Sequence, residues 1–187
     1  MKILYLQRRI RLNYPNEYIS FLVHFHGDRD YFECHEILEE YWKKVAPREK
    51  DSHWVGLIQI AVALYHQRRG NIPGAIRTIS KAINNLAAHT IELQQLGLEV
   101  DELLHLLEYT RKRMMNHQPY ESIHLPLRDK QLIQHCIKEC RKAGFTWCND
   151  SDPHNLHIIH KHLMRDRSEV IQERERQRII RIRKNRG

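Results

Sequence analysis

Apolar residues along the chain recur at three- and four-residue intervals, and no valine- or threonine-rich run alternates with polar positions. Pro15 opens the first predicted helix, "PNEYISFLVHF", whose inward positions are Ile19, Leu22 and Val23 with Phe25 or His26, before "HGDRD" breaks it. A second helix starts near Asp30 and carries "YFECHEILEEYWKKV". The third, "SHWVGLIQIAVALYHQRRG", is apolar on nearly every side from Trp54 to Tyr65, which predicts a central position. Gly70 then stops that helix in a positive-φ conformation and Asn71 caps the next. In the fourth helix Ala75, Ile76, Ile79, Ala82, Ile83 and Leu86 form one stripe. The two make a helical hairpin.

A fifth helix is predicted over roughly Val100 to Met115, with Leu103, Leu104, Leu107 and Met114 inward. "YESIHLPL" reads as extended, because Pro126 resists helix around it. "RDKQLIQHCIKECRKAG" is one more helix, followed by the turn-rich "FTWCNDSDPHN". These elements predict an all-α protein, a compact antiparallel helical bundle built of hairpins. Residues 1–127 form its main domain, and 128–187 a helical appendage with a basic Arg/Glu-rich tail. The hairpin from Trp54 to Leu86 has some spacing in common with a tetratricopeptide repeat, but a single copy favours a closed bundle over an array.

Charge adds one feature. Of the formal +8, the tail 165–187 supplies +5, nine Arg or Lys against four Asp or Glu. Its end, Arg181, Arg183, Lys184 and Arg186, can bind nucleic acid or an anionic surface through phosphates alone, or serve as a solubilising end. No apolar run approaches the roughly 20 residues of a transmembrane segment, and the N-terminus is too short in apolar residues for a secretory signal. A cytoplasmic protein with reduced thiols is expected.

Candidate chemistry sits on the second helix. On a helical wheel Tyr31, Leu38, Trp42 and Val45 fall to one side of His35 and Phe32 to the other, with Glu39 inside the apolar arc. Glu36 points away, toward solvent. On the third helix Gln59 and His66 share a bearing, with small Ala63 between them. If the two helices face each other, His35, Glu39, Trp42, Gln59 and His66 line one polar pocket. His35, Glu39 and His66 are a ligand set suited to a divalent metal. The competing reading is a hydrogen-bond network that fixes helix register, and "HExxE" lacks the second histidine of a zincin motif. A second constellation joins Cys136, Cys140 and Cys148 with His154, His157 and His160. It can make a tetrahedral zinc site, or Cys136 and Cys140 can be small residues on a buried stripe.

Three stretches, "YFECHEILEEYW" (31–42), "LIQIAVALYHQRRGNIPGA" (57–75) and "IHLP" (123–126), resemble the bacterial and archaeal family called domain of unknown function 309, over residues 14 to about 127. The resemblance implies a compact helical fold and no established activity. The family's pattern falls on His35, Glu36, Glu39, Trp42, Gln59, His66, Gly70 and Asn71. Two functions remain open: a non-catalytic module recognising a protein or small ligand through the pocket, and a metal-dependent, hydrolase-like enzyme using His35, Glu39 and His66.

Overall fold

The computed structural model describes residues 14–164. The tail 165–187, with the cationic cluster at its end, lies outside the described residues. The described chain is an all-α bundle without a sheet, its one extended pairing being an isolated bridge between Leu98 and Leu127.

Helix α1 (Asn16–His26) follows Pro15. Its buried face is Tyr18, Phe21, Leu22, Val23, Phe25 and His26, so the apolar arc is wider than predicted and Ile19 lies at its edge, half-buried. Helix α2 (Tyr31–Val45) starts where Asp30 accepts a hydrogen bond from the Glu33 N–H at 2.9 Å, an N-cap that satisfies one of the helix's free donors. The predicted inward stripe ends before Val45, which is exposed.

Helix α3 (His53–Arg68) is the central element, with ten of its sixteen residues buried. Leu57, Ile60 and Leu64 are fully enclosed, each stabilising the fold by about 1.5–3 kcal/mol. Gly70 turns at φ +76°, and the Asn71 side chain accepts from the Gly74 N–H to open α4 (Ile72–Ala87). Helices α3 and α4 approach closely at Gly56, where a Cβ would meet Leu86 Cδ2 at 2.5 Å.

A short α5 (Thr90–Gln95), absent from the sequence reading, leads into α6 (Val100–Met115), whose Leu103, Leu107 and Met114 are buried. Residues 116–127 then form a strap without helix, tied by the Glu99 N–H to the Pro126 carbonyl at 2.8 Å. Helix α7 (Lys130–Lys142) packs Leu132, Cys136 and Cys140 inward, Cys140 against the Val23 carbonyl of α1. At its start the Tyr14 hydroxyl donates to Asp129 at 2.8 Å. The chain ends its described course with the loop 143–155, α8 (Leu156–Ile159) and α9 (Lys161–Met164). No helix among the described residues is long and apolar enough to cross a membrane.

Candidate functional site

Helix α2 presents His35, Glu36 and Glu39 together. The imidazole lies between two carboxylates: Nδ1 is 3.1 Å from Glu36 Oε1, and Nε2 is 3.7 Å from Glu39 Oε2. Lys43 holds the other oxygen of Glu39 at 3.1 Å. His35 and Glu39 are 29% and 34% exposed, so the pair is on a ridge at the edge of the core rather than inside it. Glu36, read from the wheel as turned to solvent, is instead a direct neighbour of His35, 28% exposed. One ligand atom from each of His35, Glu36 and Glu39 falls within 4.8 Å of the others, a spacing open to a divalent ion.

The remaining residues of the expected pocket go elsewhere. The Trp42 indole N–H donates to the Glu49 carbonyl at 2.9 Å, closing the turn after α2. Gln59 is half-buried on α3, its Oε1 enclosed without a hydrogen bond. His66 is not in the His35 group; its Nδ1 lies 3.1 Å from Asn71 Nδ2 at the α3–α4 turn. Burial, followed by the charges of Arg69 and Arg77, lowers the His66 pKa. Glu36 thus stands where His66 was expected as the third ligand.

The cysteines also separate. Burial pushes Cys136 up to about 12 and Cys140 up to about 11, as inert thiols on the stripe facing α1. Cys148 lies apart in the loop after α7, grouped with His26 and His124 and not with His154, His157 or His160 among the described residues.

What the sequence reading missed is centred on Arg29, in the segment "HGDRD" taken only as a helix breaker. Arg29 is fully buried at φ +60°. Its Nε donates to the Asn149 carbonyl at 2.7 Å, and its Nη1 to the carbonyls of Phe25 (2.8 Å) and Ile123 (2.7 Å). Its Nη2 meets His124 Nδ1 at 3.1 Å. One cation therefore joins α1, the strap and the loop after α7. Arg68, at the end of α3, is a second such anchor. Its Nη1 donates to the Arg29 carbonyl at 2.7 Å and to Ser151 Oγ at 3.0 Å, and its guanidinium lies 4.9 Å from the Tyr31 ring centroid. Its Nε and Nη2 are buried without hydrogen bonds. Arg68 lines a cleft of about 540 Å³ with Tyr120, Ser122, Asp150 and Ser151.

Residues 18–78 match the family model described as Domain of unknown function (DUF309). Over 164 residues the chain is 47% identical to the Uncharacterized protein YpuF of Bacillus subtilis (strain 168), a span covering 88% of this chain and 94% of that one. The chain belongs to the DUF309 family. The matched DUF309 segment runs from α1 into α4 and so contains His35, Glu36, Glu39, Gln59, His66 and Arg68. The strap and the loop that close over Arg68 lie beyond it. No solved structure matches the chain.

Proposed function

We propose that this DUF309 protein is a non-catalytic helical module that binds a small ligand bearing an anionic group, in the cleft beside Arg68. The observation that carries this reading is the state of the Arg68 guanidinium. It is held on a tyrosine face next to a cleft of about 540 Å³, and its Nε and Nη2 are enclosed and unmatched, so a ligand in the cleft meets them by a turn of the guanidinium. A buried donor without an acceptor is costly, and a carboxylate or phosphate offers the fork geometry a guanidinium prefers. The hydroxyls of Ser122, Ser151 and Tyr120 add neutral hydrogen-bonding groups, and the carboxylates of Glu121 and Asp150 in the same lining confine the anionic group to the Arg68 end. The cytoplasm, a reducing compartment, suits the free thiols.

The test is calorimetric titration of the full chain with inorganic phosphate and with small mono- and dicarboxylates, compared with Arg68→Gln. Saturable binding that weakens at least tenfold in a folded Arg68→Gln supports the module. Equal binding by both proteins, or none by the wild type, overturns it.

A second reading, a metal-dependent hydrolase, is favoured by the clustering of His35, Glu36 and Glu39. One carboxylate beside an imidazole suits acid/base work, and two carboxylates with one imidazole suit a divalent ion. Stoichiometric metal in protein purified without an affinity tag, lost in Glu39→Gln, supports that reading; metal content unchanged by Glu39→Gln removes it.

A further inference from the structure

His26, His124 and Cys148 come from three separate parts of the chain: the last turn of α1, the strap, and the loop after α7. One ligand atom from each lies within 4.8 Å of the other two. We infer that these residues form a binding site for a zinc-like divalent ion, with the fourth position open to water.

The spacing fits. Zinc bonds of ordinary length to sulfur and to imidazole nitrogen, at a tetrahedral angle, place the two ligand atoms about 3.6 Å apart. Cys148 Sγ stands 3.7 Å from His26 Nδ1.

His26 supplies an independent observation. Its ring is 1% exposed, stacked on Trp147 at 4.4 Å and nearly parallel to His124 at 5.9 Å. Its Nε2 is buried with no hydrogen bond, and Nδ1 has only the long contact to sulfur. A metal bond at Nδ1 gives that nitrogen the strong partner it lacks, and Nε2 then carries the proton of the ring.

Arg29 sets the terms for the other two ligands. Its Nη2 occupies His124 Nδ1, so His124 must exchange that hydrogen bond for the metal. His124 is exposed and has room to turn, and Arg29 keeps its three carbonyl acceptors. Partial desolvation raises the pKa of the surface thiol of Cys148, and the Arg29 guanidinium opposes that rise. On binding, the Cys148 thiol releases its proton to solvent and the sulfur bonds to the ion. An ion here pins the end of α1 to the strap and to the loop, the segments that close over the Arg68 cleft.

The Co²⁺ ion alone, titrated into the full chain without an affinity tag, is the probe. One equivalent is expected to bind, with a thiolate-to-cobalt charge-transfer band in the near ultraviolet. Cys148→Ser should abolish the band and His124→Ala should weaken binding at least tenfold, both with unchanged far-ultraviolet circular dichroism. His157→Ala, an exposed histidine outside the group, should change neither. Absence of binding, binding without the thiolate band, a band that survives Cys148→Ser, or affinity indifferent to His124→Ala overturns the site. Titration of Arg68→Gln with Co²⁺ gives the wild-type result whether or not the cleft binds an anion.

Discussion

Lys161 Nζ lies 2.6 Å from Asp30 Oδ2, a contact that spans 131 positions of sequence and joins the last described helix to the N-cap of α2. The same ammonium reaches Glu33 Oε2 at 2.7 Å. Asp30 is 5% exposed, so its negative charge is matched inside the fold by Lys161 and by the Glu33 N–H. Burial opposes the charge on Lys161, but the two carboxylates outweigh it and raise its pKa. Lys161→Met should therefore cost about 1–2 kcal/mol, between the values for exposed and buried ion pairs. Urea unfolding measures it; a midpoint equal to wild type would show the contact contributes nothing.

Arg29 is expected to be the most sensitive polar position. Arg29→Met leaves the carbonyls of Phe25, Ile123 and Asn149 without their shared donor, at about 1–3 kcal/mol for each group that finds no other. Arg29→Lys should recover little, because a single ammonium cannot reproduce the planar fork that spans three carbonyls. Thermal denaturation of both variants checks this, and an Arg29→Lys variant as stable as wild type contradicts it.

Two glycines separate backbone strain from packing. At Gly70 a Cβ meets nothing within 4 Å, so Gly70→Ala costs only the left-handed backbone penalty of about 1–2 kcal/mol. At Gly56 the new methyl would press on Leu86 and on Asn85 Oδ1 at 2.8 Å, forcing α3 and α4 apart at about 1–3 kcal/mol. Gly70→Asn, which tolerates this conformation, should recover part of the loss. No side chain is expected to do so at Gly56. Chemical denaturation of the three variants tests the contrast.

His24 predicts a pH dependence. Burial acts to lower its pKa, but the hydrogen bond and charge of Asp28 at 3.1 Å outweigh it and the net shift is upward. A histidine whose folded pKa exceeds its unfolded value of about 6.5 stabilises the fold fully below that value, and the contribution disappears as pH rises through the folded pKa. The stability gap between wild type and His24→Gln should be larger at pH 5.5 than at pH 8.5, by about 1 kcal/mol or less. A gap that is constant or grows with pH would assign the shift the wrong sign.

The family segment and the order of the six longer helices were legible in the sequence because they depend on local rules. Asp30 and Asn71 cap because a short polar side chain reaches the next turn's N–H, and Gly70 takes a positive φ because it has no Cβ. The central place of α3 followed from its apolar residues on every side. A wheel also placed His35 near Glu39, since both lie on one helix. It could not bring His66 to them, because the crossing of α2 on α3 sets that distance and the spacing within either helix does not. It misplaced Glu36 for a related reason: a side chain with several rotatable bonds can fold back along its own helix to an imidazole, whatever the bearing of its Cβ. Arg29, His124 and Cys148 carry no periodicity, being in a turn, a strap and a loop, and the spacing that turned His26 inward on α1 could not say what it would face. Only tertiary structure assembles them, because a buried guanidinium takes its acceptors from whichever backbone carbonyls the packed segments bring within reach, and those carbonyls are the same in every residue type.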